Sequence, residues 1–191
     1  MSAEAHRRSM GSASSLSLFV GGLAAVGFVL LALADGGFPG GTWAAATILV
    51  WWTAIVALLA GAWPSSPVPV AATVAGLCLL GLTALTAASI AWTVDLGGAY
   101  LDAVRAAGYL GLFTLVVIAA RAGAGRALLA GLAAGLVVVA ALALISRLEP
   151  GFAGGASEAL GLEISGGRLS YPLGYWNGLG ASMAGALLLL A

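Results

Sequence analysis

The sequence predicts an all-α protein, a polytopic bundle of transmembrane helices with five complete spans and a truncated sixth. Two observations lead to this prediction. Hydrophobic residues make up 62% of the 191 residues and charged residues only 7%, whereas soluble domains carry about 25% charged residues. The apolar residues also form continuous runs instead of alternating with polar residues, which excludes a transmembrane β-barrel.

The apolar runs set the predicted organisation, because a membrane helix needs about 20 mostly apolar residues. Residues 1–15 form a cytoplasmic tail, and residues 16–145 hold the first five helices. An extracytoplasmic loop over 146–174 follows, and a sixth helix begins at 175 and is still apolar at 191. The segment 93–105 is expected to lie as a short amphipathic helix at the membrane interface. The predicted spans are 16–34, 43–62, 68–92, 106–120 and 127–145, and the fourth is short, which leaves an earlier start open.

The first apolar run has two interpretations. Arg7 and Arg8 precede it, and Ala32-Leu33-Ala34 is similar to the cleavage site of a secretory signal peptide. The apolar core of such a signal has about 7–15 residues, and this run is longer, so a retained helix is the favoured interpretation.

The distribution of charge predicts the topology, since cytoplasmic loops are enriched in Lys and Arg. Arg7 and Arg8 place the N-terminus in the cytoplasm, and alternation then places Arg121 and Arg126 there too. The chain is therefore expected to be a multi-pass protein of the plasma membrane, surrounded by membrane lipids. Three arginines fall outside against the rule: Arg105, Arg147 and Arg168. Six of the seven acidic residues also fall outside: Asp35, Asp95, Asp102, Glu149, Glu158 and Glu163.

Composition also excludes several kinds of site. No basic stripe with interleaved aromatic residues exists, which argues against nucleic-acid binding. No metal is expected, because the one histidine, His6, lies in the tail and the one cysteine, Cys78, lies in an apolar run. Cys78 is expected to be a small buried hydrophobic residue. No P-loop or dinucleotide motif is present, so no cofactor is predicted.

The stretch 166–180, GGRLSYPLGYWNGLG, is the strongest candidate for a functional site. Arg168 has two interpretations: a clamp on a phosphate or diphosphate at the outer face, or a partner of Glu163 or of lipid headgroups. Pro172 and Gly174 predict a turn before the sixth helix.

The neighbouring polar and aromatic residues also have alternative roles. Asn177 is expected about one turn inside the helix, where its buried amide contacts a ligand or another helix. Arg105 pairs locally with Asp102 or provides a second phosphate contact. Three aromatic residues stack on a sugar ring or form an interfacial belt: Tyr171, Tyr175 and Trp176. Two loop carboxylates act as a general base or are simply solvated: Glu158 and Glu163.

The run from Arg168 to Asn177 resembles the arginine motif of the O-antigen ligase and polymerase family. Many members carry an arginine, then a glycine, then an Asn-Pro-Asn at the start of a helix. Here the glycine comes later and the single Asn177 stands in place of the Asn-Pro-Asn. This form is similar to that of high-GC Gram-positive members. The motif is matched closely and the preceding spans only loosely.

The resemblance implies a metal-independent membrane glycosyltransferase without a cofactor. Its donor would be a glycan on undecaprenyl diphosphate, and its acceptor a glycan or a lipid. Arg168 would stabilise the diphosphate leaving group, and Asn177 would orient the motif or the donor. The resemblance also implies that residues 1–191 are the N-terminal half of a longer protein and are inactive by themselves.

Two other classes of function remain open. A transporter or flippase for an anionic or lipid-linked substrate would need polar residues or broken helices near the middle of the bilayer. The first five runs offer only weakly polar threonines and serines there, which counts against it. A purely structural membrane subunit would explain the hydrophobicity but not an outward Arg168.

Overall fold

A computed structural model describes residues 3–37, 40–61, 67–149, 152 and 169–190, with the side chains of the first helix described from residue 17. Every regular element in these ranges is helical, so the all-α prediction is confirmed for them. The helices are α1 (Ala3–Leu33), α2 (Gly40–Leu59), α3 (Val70–Ser89), α4 (Leu96–Arg121), α5 (Gly125–Leu148) and α6 (Trp176–Leu190). A short turn, Asp35–Gly37, follows α1.

Four of these helices, α2 to α5, are long and apolar enough to cross a membrane. The apolar parts of α1 and α6, Ser17–Leu33 and Trp176–Leu190, are shorter. Large apolar side chains are exposed along the helices, for example Leu77 and Leu85 on α3. These features agree with the predicted membrane protein, since such a surface suits lipid and not water.

The helix α4 begins at Leu96, before the fourth predicted span, which is the earlier start that the shortness of that span left open. The Asp95 carboxylate accepts a hydrogen bond from the Gly98 backbone N–H at 2.9 Å and caps a helix that begins at Leu96. Such a cap satisfies a backbone donor that the helix itself leaves unpaired. The separate amphipathic helix predicted over 93–105 is therefore wrong, because most of that segment is the first part of α4.

The first compact unit is built from α1, α5 and α6. Its core contains Ala32 from α1, Val139 and Ala143 from α5, and Leu179 from α6. Gly21 lies against Ala127, and Gly131 lies against the Gly21 backbone, so α1 and α5 approach each other closely. The pair Gly131 and Gly135 thus serves helix packing within the chain.

The second compact unit is built from α2, α3 and α4, with α4 packed against both other helices. The Trp51 indole N–H donates to the Ala107 carbonyl at 3.0 Å, and the Thr47 hydroxyl donates to the Val104 carbonyl at 3.4 Å. On α3 no residue is buried, and Cys78 is exposed. The expectation that Cys78 is buried is wrong, because its helix has no second neighbour to cover that face within its unit.

Candidate functional site

The residues before α6 form a tight turn that is anchored in the first unit. Pro172 is buried, after a cis peptide bond from Tyr171, and Leu173 packs against the core of that unit. Gly174 has φ of 72°, a left-handed conformation that glycine adopts without steric cost. The predicted turn at Pro172 and Gly174 is therefore present, and it fixes where α6 begins.

Directly after this anchor, three polar or aromatic side chains are exposed: Tyr175, Trp176 and Asn177. The Asn177 amide Nδ2 donates to the Tyr175 hydroxyl at 2.8 Å. The rings of Tyr175 and Trp176 lie 5.7 Å apart. Tyr171, on the other side of the turn, meets Phe152 edge to face at 6.1 Å. Four predicted site residues thus lie together on this turn and the first turn of α6.

Asn177 differs from its prediction in position and exposure. It was expected one turn inside the helix with a buried amide, but α6 begins at Trp176, so Asn177 lies in the first turn and is exposed. The helix begins one residue after the predicted start at 175, and the amide lies outside the core. Its observed partner is the nearby Tyr175 hydroxyl and not a neighbouring helix.

A second tight turn lies against the first. Asp35, Gly36 and Gly37 have φ of 53°, 66° and 76°, so three successive residues are left-handed. A Cβ added at Gly36 would lie 3.4 Å from the Leu173 carbonyl oxygen, and one added at Gly174 would lie 3.3 Å from the Asp35 Oδ1. Both glycines thus permit the two turns to meet, at the end of α1 and the start of α6.

Asp35 is the one non-glycine residue with positive φ in the described ranges. A left-handed conformation costs about 1–2 kcal/mol for most side chains, although Asp and Asn tolerate it best. The distribution of charge predicts that Asp35 lies outside the membrane, but no sequence pattern connects it with the candidate site. The predicted topology is the one sequence feature that could have linked Asp35 to this site, since it places the end of the first span and the start of the sixth on the same, outer side.

The other predicted site residues either belong to the second unit or lie outside the described residues. Arg105 lies on α4 in the second unit and pairs with Asp102 at 3.2 Å, as the local-pair alternative predicted. Arg168, Glu158 and Glu163 lie outside the described residues, as does most of the loop predicted over 146–174. Among the described residues, no group of three or more His, Cys, Asp or Glu side chains is placed to hold a metal ion.

No protein-family model matches the chain, and no curated protein and no solved structure is significantly similar to it.

Proposed function

We propose that the chain is part of a membrane glycosyltransferase of the O-antigen ligase or polymerase type. It takes glycan from an undecaprenyl-diphosphate donor at the outer face of the plasma membrane, and five spans precede a sixth that carries the site. The supporting observation is the anchored turn at Pro172–Gly174, which holds Tyr175, Trp176 and Asn177 exposed at the start of α6. A transferase needs such fixed groups, since the reacting partners must be held in one geometry.

The chemistry assigned to the motif follows from its residue types. A guanidinium offers a planar fork of donors that fits phosphate oxygens, and Arg168 is separated from the buried Pro172 by only three residues. Negative charge develops on the diphosphate as the glycan leaves, and a fixed cation stabilises that charge. The exposed rings of Tyr175 and Trp176 are suited to packing on the apolar face of a sugar.

The meeting of the two turns supports the topology on which the proposal depends. Four helices, α2 to α5, separate Asp35 from Gly174 along the chain. If each crosses the membrane once, an even number of crossings returns the chain to the side from which it left. The contact between Asp35 and Gly174 is therefore compatible with both turns lying at the outer face.

The transporter alternative receives less support. Within the described helices, several hydroxyls donate to carbonyls of their own helix, and these are Thr53, Thr83, Thr86, Thr114 and Ser182. Hydroxyls used in this way offer few free donors to a substrate in the middle of the bilayer. The helices α2 to α5 also run without a break, unlike the discontinuous helices typical of transporters.

The test is Arg168→Ala introduced at the chromosomal locus, with glycan transfer measured in membranes that contain the cell's own lipid-linked donor. We expect transfer to fall by about 10²–10³-fold, the effect of removing one charge-stabilising group from a transition state. The matched control is Arg147→Ala, which removes another arginine predicted on the outer side, exposed at the end of α5, and leaves transfer unchanged.

Two results would contradict the proposal. One is transfer at the wild-type rate in Arg168→Ala with normal membrane insertion. The other is labelling of a cysteine at position 168 by a reagent that reaches only the cytosolic side, because the lipid-linked donor would then lie on the opposite face. For this labelling, Cys78 is first replaced by Ala, since it is the one cysteine of these 191 residues and is exposed.

A further inference from the structure

The acidic side chains of the described region differ in how they are engaged. The Asp95 carboxylate caps α4 through Gly98, and the Asp102 carboxylate pairs with Arg105. The Asp35 carboxylate has no hydrogen bond or ion pair within the part of the chain that the structure describes. The Asp35 carboxylate is thus exposed and has no polar partner among the described residues. Its backbone has a left-handed conformation that most side chains disfavour.

The position of this carboxylate is set by the two turns. Oδ1 of Asp35 lies so close to Gly174 that a Cβ there would be 3.3 Å away, which is tighter than most contacts of real Cβ atoms. Gly174 is followed at once by the exposed Tyr175, Trp176 and Asn177. The Asp35 carboxylate therefore lies next to the residue that precedes this exposed segment, although the two are far apart in the sequence.

We propose that Asp35 is a catalytic carboxylate of this site, which contacts the acceptor hydroxyl and takes its proton during glycan transfer. This inference rests on the proposed function. The acceptor oxygen forms a bond to the anomeric carbon of the donor, and the bond from that carbon to the diphosphate oxygen breaks. The electron pair leaves with the diphosphate, and the hydroxyl proton passes to Asp35, which later releases it to water.

The negative charge of Asp35 determines which of the two substrates it can contact. A carboxylate repels a diphosphate, so Asp35 is unsuited to hold the leaving group that Arg168 is proposed to bind. A sugar hydroxyl on the acceptor is uncharged and donates a hydrogen bond to a carboxylate readily. The two residues thus divide the reaction, with Arg168 on the donor diphosphate and Asp35 on the acceptor hydroxyl.

The test compares three substitutions at position 35 in the protein expressed from its own locus. Asp35→Asn keeps the shape and also tolerates the left-handed backbone, but it cannot take a proton. Asp35→Gly relieves the backbone strain and removes the side chain altogether. We expect both to lower the turnover rate by about 10²–10⁴-fold, the usual contribution of a general base, with the KM for the lipid-linked donor little changed.

Asp35→Glu restores a carboxylate one methylene longer, and we expect it to recover part of the rate lost in Asp35→Asn. The control is Asp95→Asn. It keeps the cap of α4, because asparagine caps helices as well as aspartate does, and we expect it to leave transfer unchanged. Folded protein is measured for every variant by thermal unfolding in detergent.

The possible results separate the role of Asp35 from the proposed function. Wild-type turnover in Asp35→Asn or Asp35→Gly, together with loss of transfer in Arg168→Ala, overturns the role of Asp35 and leaves the transferase intact. A loss that follows the amount of folded protein in both variants also overturns it, since Asp35 would then only stabilise the turn. No transfer by the wild-type protein from its own donor overturns both.

Discussion

The two compact units of the chain pack their helices by different means. In the first, α1 and α5 meet backbone to backbone, with Gly131 directly against the Gly21 carbonyl. In the second, α2 and α4 meet through side chains: a Cβ added at Gly108 would lie 2.6 Å from the Thr47 hydroxyl oxygen, and Trp51 donates to the Ala107 carbonyl. Helices in lipid associate by close contact of small residues and by interhelical hydrogen bonds. The first unit uses mainly close contact between α1 and α5, and the second uses hydrogen bonds between α2 and α4.

The difference bears on where the candidate site lies. Backbone contact leaves no rotatable group between the helices, so α1 and α5 have little freedom to adjust where Gly21 and Gly131 meet. The turns at Asp35–Gly37 and Pro172–Gly174 belong to this unit, and they meet where α1 ends and α6 begins. The less adjustable of the two packing modes therefore supports the segment that is proposed to hold substrates in one geometry.

The largest expected effect comes from placing a methyl group at the backbone contact. In Gly131→Ala the new Cβ would overlap the Gly21 carbonyl, which cannot move unless α1 itself shifts. We expect a loss of unfolding free energy of about 3 kcal/mol or more, at the upper end of the cost of overpacking. Unfolding by SDS in detergent micelles measures it.

The control for this variant is Gly22→Ala, since a Cβ at Gly22 meets nothing within 4 Å. It should be neutral or slightly stabilising, because alanine favours helix over glycine by about 1 kcal/mol. Equal stability of the two variants would show that α1 and α5 are not in close contact at Gly131.

A smaller effect is expected where the obstacle is a side chain. In Gly108→Ala the new Cβ would clash with the Thr47 hydroxyl, but Thr47 can change rotamer. We expect a loss of about 1–2 kcal/mol, the lower range for overpacking. The double variant Gly108→Ala with Thr47→Ala removes the obstacle, so it should be more stable than the sum of the two single effects predicts. A strictly additive result would place Thr47 elsewhere, and a loss as large as that of Gly131→Ala would remove the contrast between the units.

The sequence predicts most of the helices but few of the contacts. Runs of apolar residues locate α2, α3, α5 and α6 to within a few residues, because the length of an apolar run is a local property. The start of α4 is not evident from hydropathy, since Gly97, Gly98 and Asp102 dilute the pattern, and the Asp95 cap decides it.

The candidate site is also only partly predictable from the sequence. Pro172 and Gly174 predict their turn from local chemistry, whereas the exposure of Asn177 depends on the residue at which α6 begins. The contact of Asp35 with Gly174 joins positions near opposite ends of the chain. No local pattern encodes such a pairing, so only the packing of α1, α5 and α6 reveals it.

The smallest effect in the comparison concerns a single hydrogen bond in the second unit. Trp51→Phe keeps a large aromatic ring against α4 but removes the indole N–H that donates to the Ala107 carbonyl at 3.0 Å. Hydrogen bonds between membrane helices contribute about 0.6 kcal/mol on average and at most about 1.7 kcal/mol, so we expect a loss within this range in SDS unfolding. The matched control is Trp52→Phe, since Trp52 is the next residue on α2 and is 60% exposed. A loss in Trp52→Phe equal to that in Trp51→Phe would mean that ring volume and not the interhelical hydrogen bond is responsible for the contribution of Trp51.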